Sequence, residues 1–250
     1  TNMTVSSNIT VSATANDAIT KTFNTGAPLE ANTVNFEVGG NGSTITFTAS
    51  DRVRNLTVTN TTCTISNIAI SVYGDFTIQG TNPTFSAGTN AWTFAATSGT
   101  KTINTGGESL DFPLTFNGAG GTWQLAANLT TGATRTTTLT AGTIDVNNFT
   151  LSTGVFVSNN SNTRSIAFGS SGGITLTSVT SAAVLWDTTT TTNLTITGTP
   201  LVTTTGGGNN TKTIRTGTPT EANSVSFVIS NTAGTISISG DEMEEHTSEL

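Results

Sequence analysis

The stretch Thr33-Val34-Asn35-Phe36-Glu37-Val38, followed by Thr44-Ile45-Thr46-Phe47-Thr48 and Asn55-Leu56-Thr57-Val58-Thr59, decides the fold class. Apolar β-formers alternate with Thr, Asn or Glu, and a period of two sends the two sets of side chains to opposite sides of a strand. Threonine suits the outward positions, because its branched Cβ favours extended backbone while its hydroxyl stays hydrated. The same texture returns in Asp75-Phe76-Thr77-Ile78, Gly173-Ile174-Thr175-Leu176-Thr177 and Asn193-Leu194-Thr195-Ile196-Thr197. Gly/Asn-rich stops such as Gly39-Gly40-Asn41-Gly42, Gly120-Gly121 and Gly206-Gly207-Gly208 separate the runs and supply positive-φ turns. Helix has almost no foothold, and an all-β chain is expected.

Internal similarity refines that expectation. Lys21 to Phe36 (KTFNTGAPLEANTVNF) returns as Lys212 to Phe227 (KTIRTGTPTEANSVSF) with ten of sixteen positions identical, and Lys101 to Gly106 (KTINTG) is a shorter echo. The separations, 80 and then 111 residues, are unequal, so the repeat is loose. Short strands and singly scattered aromatics point to an elongated β-solenoid, a β-helix-like repeat fold in which each coil adds strands to parallel sheets. Tandem antiparallel β-sandwich domains are the alternative. The expected division is an N-terminal segment or linker over 1–20, a β-repeat region over 21–240, and an acidic tail or start of a further module over 241–250.

Composition removes much chemistry. The 250 residues hold one histidine, one cysteine and one tyrosine, and His246 stands near the end with no Ser or Cys constellation around it, so a catalytic triad is not expected. Of the net charge of −7, five carboxylates belong to residues 241–250, leaving ten acids against eight bases elsewhere. A near-neutral body has no clustered Lys and Arg for phosphate, so nucleic acid is not an expected partner. Arg52 and Arg54 form the one close basic pair and read as a solvated strand face. No run approaches the roughly 18 apolar residues of a membrane helix, and the start has no signal-peptide pattern. Cys63 is alone and reads as a small buried hydrophobe.

Four groups of residues invite a functional reading. Trp92, Trp123 and Trp186 are glycan-contact candidates by ring stacking, but apolar neighbours at strand spacing favour a core or an oligomer-interface role over it. A glycan-cleaving fibre needs two acids some 5 to 9 Å apart, and Glu108 with Asp111, then Asp75, Asp145 and Asp187, are the candidates, the last two reading equally well as turn residues. Asp-rich calcium loops are absent, so no metal site is expected. Ten Asn-x-Ser/Thr sequons, among them Asn55, Asn128 and Asn193, are the number a chain so rich in these residues produces by chance. Thr-x-Thr triplets such as Thr46-Phe47-Thr48, Thr138-Leu139-Thr140 and Thr175-Leu176-Thr177 suggest ice binding, although their irregular spacing argues against a lattice-matched row.

The segments Gly121 to Leu125 (GTWQL), Thr136 to Leu151 (TTTLTAGTIDVNNFTL) and Arg164 to Gly169 (RSIAFG) carry a resemblance. Their texture resembles that of the Thr/Asn/Gly-rich structural and tail-fibre-like proteins of bacteriophages, over residues 80 to 200. The resemblance implies a virion-associated fibre protein that self-associates as a homo-oligomer, commonly a trimer, without cofactor or catalytic residues, and with a host-surface glycan as a possible contact. The acidic ending departs from it. A bacterial surface adhesin, extracellular or on the cell surface, is the alternative, followed by a glycan depolymerase and an ice-binding protein. Neither an enzyme nor a membrane-inserted protein is expected.

Overall fold

The structure, a computed structural model, describes residues 8–59, 62–208, 211–230 and 234–240. Its strands pair in parallel and coil into a β-solenoid of about ten turns, with no α-helix among the described residues. The solenoid expectation therefore holds and the tandem sandwiches are set aside. Each full coil visits three stacks of strands, here called the first, second and third faces in chain order. Asn35–Val38 starts one such coil on the first face, Thr44–Phe47 follows on the second and Asp51–Val53 on the third, and Leu56–Val58 then pairs back onto Asn35–Val38. Coil length varies without disturbing the stack: Arg52 lies opposite Ser71, 19 residues on, and Val157 opposite Asp187, 30 residues on. Corners absorb the difference, which is why no fixed period is visible in the sequence.

Alternation decides what faces inward. Asn35–Val38 and Thr44–Phe47 each bury every second residue, so Phe36, Val38, Ile45 and Phe47 point into one continuous core. Stacked coils bring like residues together along the axis. Phe94 stacks on Phe116 with ring centroids 5.1 Å apart, and Phe156 on Trp186 at 4.7 Å. Complete burial of such side chains stabilises by about 1.5–3 kcal/mol each, and this ladder takes the place of the single aromatic cluster of a globular domain.

Two long strands, Leu114–Leu125 and Thr136–Asp145, run from the third face around the corner onto the first, and so join two faces into one sixteen-stranded sheet. The corner is tight. A Cβ at Gly118 or Gly121 would stand 1.9 or 2.0 Å from the Ala96 carbonyl oxygen, so only glycine lets the coils close there.

The sequence repeat is a corner unit, not a coil unit. Its three copies place strand Thr20–Phe23 on the second face, Gly99–Asn104 on the first and Lys212–Arg215 on the third. The glycines that end them, Gly26, Gly106 and Gly217, share φ values of 62°, 61° and 63°. In the two long copies the Glu-Ala-Asn triplet forms a single 3₁₀ turn, Glu30–Asn32 and Glu221–Asn223, which occupies a strand position. One motif thus serves three different edges of the prism, which accounts for the unequal separations.

Thr10–Ala13 pairs with Asn35–Val38 in full register, Val11 opposite Phe36, so the parallel stack reaches into the span read as an N-terminal segment or linker. Residues 241–250 lie outside the described residues.

Candidate functional site

The corner between the third and first faces holds an asparagine ladder. The Asn35 side-chain oxygen accepts the Asn55 backbone N–H at 3.3 Å, Asn55 in turn accepts that of Asp75 at 2.8 Å, and Asp75 Oδ1 accepts that of Thr102 at 2.7 Å. The polar backbone of a tight corner is thereby satisfied coil by coil. Asn128 to Thr150 and Asn148 to Ser170 do the same where the first face meets the second. The sequon residues Asn55 and Asn128 are therefore ladder residues, and Asn193, at φ 57°, donates from its amide to the Ser161 carbonyl.

Beside that corner opens a cleft of 690 Å³ whose walls include Glu30, Arg54, Tyr73, Asp75 and Lys101. Arg54 donates to the Asn8 side chain and to the Ala31 carbonyl, both at 3.0 Å. Arg52 donates to the Pro28 carbonyl at 2.9 Å and holds its guanidinium 5.9 Å from the Tyr73 ring centroid. The basic pair thus leaves the role of a solvated strand face, since both side chains are pinned against segment 28–31. Glu30 accepts from the Thr97 hydroxyl at 2.5 Å. Among the described residues, the Tyr73 hydroxyl and the Lys101 ammonium make no hydrogen bond.

The other predicted residues sit elsewhere. Trp92, Trp123 and Trp186 are buried, at 1%, 0% and 0% exposure, with their rings against Phe112, Phe116 and Phe156. No indole face is presented to solvent, and the glycan-contact role is corrected to a core role, because inward alternation and the coil stack claim all three rings. Asp111 pairs with Arg135 at 2.7 Å, Glu108 accepts the Asn82 N–H, Asp145 accepts from Gln124 and Asn147, and Asp187 from Thr189. Each carboxylate is a strut between coils or a turn cap. No cluster of three or more His, Cys, Asp or Glu forms a metal-type grouping among the described residues. No helix among them is long and apolar enough to cross a membrane.

Two buried cations are held by carbonyls in place of acids. Arg164 donates to the Ser158, Asn162, Thr190 and Thr192 carbonyls, and Lys212 to those of Ser178, Gly206 and Gly207. Burial pulls both groups below their ordinary pKa. Each pins a corner loop.

The second face has a surface of its own. Thr20, Thr44, Thr64 and Thr84 lie directly opposite one another. Thr22 pairs with Thr46, and the bonds from the Ser66 and Ser86 N–H groups to Ile45 and Ile65 continue that rank with two serines. Neighbours are about 4.8 Å apart along the axis and about 6.7 Å apart along a strand. Further on, Ser109, Thr130, Ser152, Thr175 and Thr203 form another rank. No outward charged side chain stands on any strand of this face, whereas Glu37 and Asp145 stand on the first and Arg52, Asp187 and Arg215 on the third. The objection from irregular spacing falls, because register aligns what sequence separation does not.

Comparison with family models, with curated proteins and with solved structures returns no match to this chain. The cleft and the hydroxyl face were not read from the sequence. Tyr73 as the sole tyrosine, and Asn at or just before the strands Asn35–Val38, Leu56–Val58, Leu129–Thr131 and Leu194–Thr197, were the signals available for the corner.

Proposed function

We propose that the chain is a rigid structural rod of a virion fibre, or of a comparable bacterial surface adhesin, acting through its length and surface and not through catalysis. The observation that carries this reading is the sixteen-stranded parallel sheet that runs through the coils, in which core aromatics, corner asparagines and paired carboxylates all serve coil-to-coil cohesion. The resemblance to phage fibre-like proteins agrees with it. Self-association belongs to the same proposal and is supported by the ends of the described stack, where Ile9, Val11 and Ile19 on one side and Val228 and Ile229 on the other are exposed, beside strands whose outer edge no other described strand pairs. Head-to-tail contact in a homo-oligomer would cover them, and side-by-side association in a trimer is the simplest fibre arrangement of the faces. Immunogold electron microscopy of particles and cells from the source tests the placement. Label on virion projections supports the fibre, label on the cell envelope supports the adhesin, and label confined to the cell interior overturns both.

The hydroxyl ranks favour a second reading, in which the second face orders water as ice does. The described strands of the face carry no outward charged side chain, the face repeats in two directions, and it presents a methyl and a hydroxyl at each threonine. Inhibition of ice recrystallisation by the native chain, lost in Thr46→Lys and kept in the third-face variant Thr115→Lys, supports it. Equal behaviour of buffer and native chain removes it.

A further inference from the structure

The corner cleft is where unspent polar groups converge at the surface of the rod. Of its charged side chains, Arg54 and Glu30 are engaged with segments 8–33 and 97, and Asp75 has given one oxygen to Thr102. What remains is the Lys101 ammonium as donor, the Tyr73 hydroxyl as donor and acceptor, and the second Asp75 oxygen as acceptor. These three kinds of group match the alternating donors and acceptors of vicinal hydroxyls.

We propose that this cleft binds a neutral oligosaccharide. Two acids and two bases line it, so there is no excess positive charge to hold a phosphate or a polyanion. Among the described residues, Leu29 and Ala31 are its only aliphatic walls, and Leu29 is 72% exposed, so they form no apolar floor for a lipid or a hydrophobic peptide. Its volume lies inside the range of about 300–1,000 Å³ that ligand sites occupy, and its open form admits a chain of sugars side-on. The site is also held in advance of binding. The Asn55 and Asp75 rungs fix the corner on either side of Gly74, and the Arg52 guanidinium holds the Tyr73 ring. A Cβ at Gly74 would stand 2.0 Å from Asn55 Oδ1, so the floor stays bare backbone.

The inference deepens the attachment role and rests on the surface-rod reading. It is tested with the full chain on an array of hexasaccharides of glucose, galactose, mannose and N-acetylglucosamine, with sulfated and sialylated glycans beside them. Native chain, Lys101→Met, Tyr73→Phe and the second-face control Thr175→Ala are compared, with circular dichroism to establish that each variant folds. The expected result is retention of one or more neutral hexasaccharides, weakened about tenfold or more by Lys101→Met, as loss of a charged hydrogen bond requires. Tyr73→Phe weakens retention less, and Thr175→Ala leaves it unchanged. Absence of retention by the native chain, retention of polyanionic glycans alone, or indifference to Lys101→Met and Tyr73→Phe overturns the inference. Scattering reads the rod independently, so rods that retain no glycan overturn the cleft and leave the rod reading standing.

Discussion

Asn55 accepts the backbone N–H of Asp75, one coil further on, through its side-chain oxygen at 2.8 Å, and Asp75 repeats the same act toward Thr102 at 2.7 Å. Amide and carboxylate are thus interchangeable as acceptors at this corner, because only one oxygen is used. Asn55→Ala is expected to cost about 1–3 kcal/mol, leaving a corner N–H without its partner, whereas Asn55→Asp costs much less. Urea titration of the three proteins checks the order.

Lys212 fills a corner with an ammonium that three carbonyls accept. Lys212→Met keeps the length of the side chain and strands those carbonyls, and is expected to destabilise by about 2–4 kcal/mol. The pH dependence has a defined sign. Burial lowers the pKa of Lys212 in the folded chain, so the unfolded chain binds the proton more tightly. Native stability relative to Lys212→Met therefore rises as pH climbs through the window below the ordinary lysine value. Thermal melts from neutral to alkaline pH read the difference.

Cys63 is fully buried, and burial pushes its thiol pKa up. Both effects suppress the thiolate that reacts with alkylating agents. Iodoacetamide at pH 8 is expected to leave the native chain unlabelled and to label it completely in denaturant. Quantitative native labelling would mean that the coil around Ile45 and Ile65 opens readily.

Trp92 and Trp123 are buried with indole N–H groups that have no partner, while Trp186 donates to the Thr188 hydroxyl at 2.9 Å. Trp123→Ala is expected to cost about 3–5 kcal/mol through the cavity it leaves. Trp123→Phe costs less, since it also removes an unsatisfied donor. Native tryptophan emission should be blue-shifted and resistant to iodide, and a bound glycan should leave it unmoved.

What the sequence made legible follows from locality. Alternation in Asn35–Val38 and Thr44–Phe47 is a property of adjacent residues, so strand character and the inward set could be read directly. Register is not local. Thr44, Thr64 and Thr84 follow one another at equal intervals, but Thr20 and the rank Ser109, Thr130, Ser152, Thr175 and Thr203 align only because corners of different lengths close the coils. The cleft was hidden for the same reason, since Glu30 meets Thr97 across 67 residues. For tryptophan, apolar neighbours at strand spacing already favoured a core or interface over a sugar contact, and burial excludes an exposed ring face.

Small-angle X-ray scattering of the purified chain tests the central claim, a single stack of parallel coils. About ten coils at about 4.8 Å each give a prism close to 50 Å long, so the account predicts the scattering of a rod with a defined cross-section, lengthening in whole multiples of that unit if ends associate. The scattering of an isotropic globule, or of two bodies joined by a linker, would contradict it.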